Sequence, residues 1–323
     1  SGSPNASLGT LGTLFSAFGK LSDAANSRVY AIWPDGSLHP PAAGAADPPG
    51  YPNPGAFLPG WPVAIADLDP DLLPDIGDGA SNGPAVATVS GSTPLVAVES
   101  DVGPAYLLEP NGADALGTTG GLPNVLSSGP SGSGSNSTGI LATSVPALGM
   151  PIIAPLGRAS GGGPLDVISA AESAGELIDV SEPAEQSPHD SQIDAWSAST
   201  GGFLPGFPQV MDSQQFFDQP IVADLAGGSG PSYAVEGSSD SDLRAVDAAG
   251  QEAQGFPKLT GGWVTDGAVF GRLGSMRKQV LVAATREGEL FVWRTAAPAS
   301  GPRGAWPQVH QNLRNTNDYS GPA

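Results

Sequence analysis

An all-β fold of short, repeated antiparallel sheets is what this sequence predicts, and three observations predict it. The 323 residues include 46 Gly and 33 Pro, roughly double the usual share of these two, so turns and short extended pieces dominate and long helices are excluded. A string of Gly, an aromatic residue and Pro recurs: Gly60-Trp61-Pro62, Gly206-Phe207-Pro208, Gly255-Phe256-Pro257 and, degenerate, Ala305-Trp306-Pro307. The last three copies stand about 50 residues apart, a spacing that belongs to repeat architectures.

Each element of the repeat has its own signature. Ahead of the strings lie β-branched or aromatic stretches closed by turns: Val29-Tyr30-Ala31-Ile32 before Asp35-Gly36, Ala105-Tyr106-Leu107-Leu108 before Asn111-Gly112, Ile193-Asp194-Ala195-Trp196 before Thr200-Gly201, and Leu243-Arg244-Ala245-Val246 before Ala249-Gly250, with Leu290-Phe291-Val292-Trp293 a further copy. Asp-Gly and Asn-Gly are favoured as the central pair of a tight hairpin, where both positions need positive φ. Upstream are apolar runs opened by a small residue or proline: Pro84 to Val89, Pro151 to Leu156, Pro220 to Leu225 and Ala268 to Leu273. A further run follows each of these: Leu95 to Val98, Leu165 to Ile168, Tyr233 to Val235 and Val280 to Ala283. Both kinds are continuous rather than alternating, as in strands covered on two faces.

Each repeat therefore reads as inner, second and third strands, a hairpin, and an outer strand carrying Gly-aromatic-Pro. Four antiparallel strands at this period make a β-propeller blade. A lone sheet cannot bury both faces, so the blades stack side by side around an axis, and the aromatic ring fills the wide outer gap between neighbours. Proline is tolerated there because the outermost strand has an edge that needs no N–H donor. A β-sandwich gives no reason for one string at equal spacing.

Four complete blades begin near Gly83, Gly149, Asp218 and Asp266. A partial N-terminal blade, Val29 to Val63, supplies only third and fourth strands. The organisation is thus a segment 1–27, blades over 28–309 with insertions at 111–148 and 170–192, and a polar tail 310–323. Residues 1–27 place Leu8, Leu11, Phe15, Phe18 and Leu21 on a short helix-like stripe, weakened by Gly9, Gly12 and Gly19. The expectation is a C-terminal part of a longer polypeptide, the rest of the ring lying on a separate chain or lost. The first insertion is rich in Ser, Gly and Thr, and the second carries Glu172, Glu176, Asp179, Glu182, Glu185 and Asp190. Loops on a rigid ring are where binding usually resides, although packing or solvated decoration serves them as well.

With these residues in view, the pattern resembles the FG-GAP or VCBS repeat, the integrin-alpha-type β-propeller of bacterial secreted and surface proteins. The resemblance covers Val29 to Tyr319 and rests on Gln219 to Leu225, on Leu243 to Gly250, on Gly-Phe-Pro, and on the end piece from Trp306 to Tyr319. It implies a secreted, periplasmic or cell-surface location and calcium in the turn after the inner strand. Oxygen ligands at alternate positions suit that cation. The first ligand position is Asp224 in one blade, but its equivalents are Thr88, Pro155 and Arg272, so those turns have lost their metal. One calcium loop remains as a candidate, Asp67-Leu68-Asp69-Pro70-Asp71-Leu72-Leu73-Pro74-Asp75, with Asp67, Asp69, Asp71 and Asp75 as carboxylates and Leu73 as a carbonyl donor. Leu72 stands where the turn glycine belongs, and the alternative is an acidic surface connection.

Charge and composition exclude several functions. The net charge of −20 repels phosphate backbones, so nucleic acid is not a ligand. The absence of cysteine removes disulfides, thiol catalysis and thiolate metal sites, and no apolar run is long enough to span a bilayer. The charge is uneven. Up to residue 260 there are 28 acidic and 5 basic side chains, and beyond it 4 and 7. Arg272, Arg277, Lys278, Arg286, Arg294, Arg303 and Arg314 make either a solvated outer face or a contact to an acidic surface. His39, His189 and His310 are scattered, no nucleophile-elbow string stands at a strand-to-helix turn, and no catalytic residue is assigned. The six tryptophans resemble the tryptophan-rich blades of quinone-dependent dehydrogenases poorly and read as blade packing. Two functions follow. One is a non-catalytic extracellular module for adhesion or assembly, its partner a protein or the missing propeller segment. The alternative is a carbohydrate-active or redox enzyme using a central pocket.

Overall fold

The structure, a computed structural model, describes residues 28–38, 54–65, 80, 83–89, 91–99, 105–119, 122–123, 146–147, 149–157, 163–173, 191–211, 215, 218–228, 230–265, 267–302 and 304–320. Among these the chain is all-β, with a single 3-10 turn, Pro54–Ala56. The first sheet holds β1 (Arg28–Val29) and β2 (Val63–Ala64). The second holds β3 (Ala85–Ala87), β4 (Leu95–Glu99) and β5 (Ala105–Leu108). A separate hairpin, β6 (Thr118–Thr119) with β7 (Leu122–Pro123), follows. The third sheet orders β9 (Ile152–Ala154), β10 (Asp166–Ser173), β11 (Ser191–Ser197) and β12 (Gln209–Met211), with β8 (Pro146–Ala147) on the far end of β10. The fourth orders β13 (Ile221–Ala223), β14 (Tyr233–Gly237), β15 (Asp242–Val246) and β16 (Lys258–Leu259). The fifth has three strands, β17 (Val269–Gly271), β18 (Lys278–Ala284) and β19 (Leu290–Pro298).

Register makes the repeats superimposable. Ala85 pairs with Ala97, Ile152 with Ile168, Ile221 with Val235, and Val269 with Val282. The same second-strand residues pair across to Leu107, Ala195, Ala245 and Val292. Side chains alternate across a strand, so each sheet has a forward face carrying these positions and a rear face carrying the residues between them. The forward face of one sheet packs on the rear face of the next. Ala85, Ala97 and Leu107 share a core with Ile153, Val167 and Trp196. Ile152, Ile168 and Ala195 continue it against Val222, Ala234 and Val246. Ile221, Val235 and Ala245 meet Phe270, Leu281 and Ala283. The first sheet follows suit, with Val63 and Ile65 against Val98, Tyr106 and Leu108.

The turns depart from the expected hairpin chemistry. Gly36, Gly112 and Gly250 have positive φ, but Asp35, Asn111 and Ala249 do not. The glycine amides donate to the carbonyls of Trp33, Glu109 and Asp247, three residues back. Each glycine therefore closes a longer turn of the type I plus left-handed glycine kind, rather than forming the central pair of a two-residue loop. Before the aromatic strings, Trp61, Phe207 and Phe256 donate to Leu58, Leu204 and Ala253, with Gly60, Gly206 and Gly255 at positive φ. Pro59-Gly60 and Pro205-Gly206 are the pair that a type II turn requires.

The end of the chain is the main departure from the four-strand repeat. The degenerate string Ala305-Trp306-Pro307 is not an outer strand at the rim. Trp306 is fully buried and bridges Val222 of the fourth sheet's inner strand, and the Pro307 carbonyl accepts from Phe270 of the fifth. A last strand, β20 (Asp318–Tyr319), lies parallel to β3 on the inner edge of the second sheet. Within the polar C-terminal tail, Asn317 and Tyr319 are buried. Among the described residues the sheets are accordingly neither all four-stranded nor wholly antiparallel. The second sheet gains its fourth strand on the inside, and the fifth has no fourth strand among the described residues. The second insertion also begins later than its sequence boundary, because the β10–β11 ladder includes Ala170↔Ile193 and Ala171↔Gln192.

Candidate functional site

Three places carry the chemistry that a site would need: the inner edges, the turn at Asp224, and a set of buried carboxyls. At the inner edges, residues 304–319 serve as a common partner. Val222 and Trp306 exchange backbone hydrogen bonds of 2.8 and 3.1 Å, Phe270 donates to Pro307 at 2.7 Å, and Val86 and Thr88 donate to Asn317 and Tyr319 at 2.7 and 2.8 Å. A polar knot ties this segment to the fourth sheet. The Gln219 side chain accepts from the His310 amide at 2.6 Å and donates to Asn317 Oδ1 at 3.5 Å, while His310 Nδ1 lies 3.1 Å from the same oxygen. His310, Gln311, Asn315 and Asn317 all have positive φ, an uncommon run for residues with a Cβ. A cavity of about 670 Å³ borders the segment, and Arg314 is the charged residue among its described lining.

The turn after β13 opens on a buried acid. Asp224 is buried, and its Oδ1 accepts from Ser232 Oγ at 3.0 Å. A Cβ on Gly227 would meet Ala297 and Pro298 of β19, and Ala297 donates to the Leu225 carbonyl. This turn serves contact between the fourth and fifth sheets. Asp67, Asp69, Asp71, Leu73 and Asp75 lie outside the described residues, as do segment 1–27 and most of both insertions. Among the described residues no three metal-ligating side chains cluster.

Apart from Asp224, the buried carboxyls carry no motif in the sequence. Asp194 is fully buried with both oxygens held by Gln192 Nε2 at 2.8 and 3.0 Å, and burial pushes its pKa up to about 7. Burial likewise raises Asp224 to about 7 and Asp166 to about 6, the latter partly offset by the Leu156 amide. Glu236 is pushed well above the carboxylate range by burial and then by the neighbouring Asp218, whose Oδ1 accepts from the Gly267 amide. Glu99 accepts from Ser169 Oγ at 2.5 Å across the second and third sheets. The available signal was an acid inside a run of apolar residues, as in Ile193-Asp194-Ala195-Trp196. These groups are sealed between sheets, each by different neighbours, and do not converge on the 670 Å³ cavity.

The aromatic strings lie where the sheets meet. Trp61 Nε1 donates to the Pro110 carbonyl at 2.9 Å, and Gly60 abuts Asn111 and Gly112. Gly206 abuts Ala249 and Gly250 in the same way. Phe256 and Trp293 of the next sheet pack against one buried cluster, and Lys258 Nζ lies over the Phe256 ring at 5.1 Å. The peptide bonds Trp61–Pro62, Phe207–Pro208 and Phe256–Pro257 are cis.

No family model matches the sequence, and no curated protein does. Among solved structures, the chain is similar to BBS1N, crystallised in complex with ARL6DN and soaked with mercury. Identity is 12% and the TM-score 0.36, over 76% of this chain and 59% of that one. BamB from Moraxella catarrhalis is similar at 14% identity and a TM-score of 0.28, over 75% of this chain and 65% of that one. The chain therefore spans less than two thirds of the length of either. Neither likeness assigns a role to any residue here.

Proposed function

We propose that the chain is a β-propeller of the FG-GAP or VCBS kind, exported to the periplasm, cell surface or medium, where it acts without catalysis as a structural and protein-interaction module. The observation that carries this reading is what lies against the inner edges. A propeller enzyme works in the middle of its ring, and here Trp306, Tyr319 and the His310–Asn317 knot lie along the inner strands of the second, fourth and fifth sheets. The carboxyls with raised pKa values, Asp166, Asp194, Asp224 and Glu236, are buried among the sheets. A rigid stack of sheets with variable loops is a platform for binding.

Chemical crosslinking in the native host tests it. Peptides joined to Lys258 and Lys278, both in the described sheets, are expected to come from another protein. Turnover of a polysaccharide or a redox dye by the purified chain, abolished by Glu236→Gln with the fold intact, would overturn the reading. The acidic loop at Asp67, Asp69, Asp71, Leu73 and Asp75 is proposed as its one calcium site. Calorimetric titration is expected to give heat with the parent chain and none after Asp69→Ala with Asp71→Ala, and no heat in either sample removes the site.

A further inference from the structure

The aromatic strings make the same contact with the next sheet twice, and at the third string that contact is open. A Cβ on Gly60 would strike Asn111 in the turn of the second sheet, and one on Gly206 would strike Ala249 in the turn of the fourth. The approach is mutual, because Cβ atoms on Gly112 and Gly250 would strike the Gly60 and Gly206 carbonyls. In both cases a turn closed by a glycine at positive φ seats on the string of the preceding sheet. Gly255 has the same positive φ, yet among the described residues a Cβ there would meet Lys258 Nζ alone. The reason lies in β19. Register places Arg294, Ala296 and Ala297 where Asp247, Ala249 and Gly250 make the fourth sheet's turn. Strand β19 instead runs straight on to Pro298, and the Ala297 amide donates to the Leu225 carbonyl.

The result is a groove of about 240 Å³ between the fourth and fifth sheets, whose lining includes Tyr233, Gln254, Phe256, Lys258, Trp293 and Thr295. Phe256 stays half-buried there, whereas Phe207 of the seated string is buried. The third sheet has Gln209 at the position of Lys258, and its amide donates to the Gly206 carbonyl and lies against Gly250 of the seated turn. Lys258 offers an ammonium in that place, over the Phe256 ring at 5.1 Å, and no carboxylate stands in the described lining. We infer that the groove takes a tight turn of a partner polypeptide in which an acidic residue is followed by glycine. The glycine is required by the close approach to the Gly255 carbonyl, as Gly112 and Gly250 are at the other two strings. The acid meets Lys258 in a charge-assisted hydrogen bond. The inference rests on the reading of the chain as an interaction module and supplies the chemistry of its partner.

Fluorescence anisotropy of a labelled cyclic peptide with Asp-Gly at its turn tests it on the full chain. That peptide is expected to bind, an Asn-Gly version about tenfold more weakly, the scale of one hydrogen bond to a charged group, and an Asp-Ala version not measurably. Lys258→Gln, which matches the residue at position 209, is expected to bind the Asp-Gly and Asn-Gly peptides alike. Melting by circular dichroism establishes that this variant is folded, and Lys258→Glu, expected to favour Asn-Gly over Asp-Gly, provides a second should it fail. A parent chain that does not bind, equal binding of Asp-Gly and Asp-Ala, or a preference for aspartate that survives Lys258→Gln overturns the inference. A parent chain whose mass doubles on concentration, and does not after Lys258→Gln, gives the groove to a second copy and overturns the separate partner. Crosslinks in the native host separate this from failure of the wider reading. If they join Lys258 to another protein away from any acid-glycine turn, the turn is wrong while the interaction module stands.

Discussion

Asp194 sits in a strand whose neighbours Ile193, Ala195 and Trp196 are buried, and its side-chain donor among the described residues is Gln192. Removing a carboxylate from water disfavours its charged form, so the folded chain holds a proton that the unfolded chain releases. Below the ordinary carboxylate pKa both states are protonated and Asp194 is neutral in the balance. From about pH 4 to about pH 7 the native state binds more protons, so stability falls as pH rises, and it levels off above the folded pKa of about 7. Asp166 and Asp224 act in the same sense over windows closing near 6 and 7. Asp194→Asn keeps an acceptor for Gln192 without the charge. It is expected to stabilise the chain by on the order of 4 kcal/mol at pH 8, at 1.36 kcal/mol per pKa unit, and to change little at pH 4. Thermal melts of both proteins across that range check it, and equal gains at the two ends would show that burial of the charge is not the cause.

The glycines of the aromatic strings are the part of the elements that the sequence made most legible, and the structure supplies their reason. Gly206 has a φ of +87° and a Cβ there would strike the Ala249 carbonyl, so it meets both a backbone and a packing requirement. Gly36 has a φ of +68° with open space around it. Gly36→Ala is expected to cost about 1 kcal/mol, the usual penalty of a left-handed residue with a Cβ. Gly206→Ala adds separation of two sheets and is expected to cost about 3 kcal/mol or more, at the upper end for single substitutions. Urea unfolding measures both, and equal costs would mean that Gly206 serves the turn alone. Inner, second and third strands were readable because Pro220-Ile221-Val222-Ala223 and its equivalents are apolar on both faces. The inward path of Trp306 was not readable, since its local sequence matches the rim strings and the bonds of Trp306 to Val222 and of Pro307 to Phe270, some 84 and 37 residues away, distinguish it. The hairpins were misread for a related reason: Asp35-Gly36 occurs in both turn types, and the flanking backbone selects between them.

For the whole molecule, the segment from Gly304 to Tyr319 decides how cooperative the stack is. Sheets that touch only their neighbours form a nearly one-dimensional array whose ends can fray independently. This segment adds links between sheets that are distant in sequence, joining Val222, Phe270, Val86 and Thr88 through backbone bonds and Gln219 through side chains. A chain ending at Thr316 loses β20, the Asn317 contacts and the burial of Tyr319. It is expected to lose about 3–5 kcal/mol, the cost of deleting one large buried aromatic. The loss should reach every sheet rather than the second alone. Tryptophan fluorescence, which reports all six tryptophans, Trp196 and Trp293 of the third and fifth sheets among them, and far-ultraviolet dichroism should shift their urea midpoints together. Hydrogen exchange that quickens only at Val86 and Thr88, with the global midpoint unmoved, would instead show a stack that stands without its central strap, because sheets coupled through that strap cannot lose it and keep their shared stability.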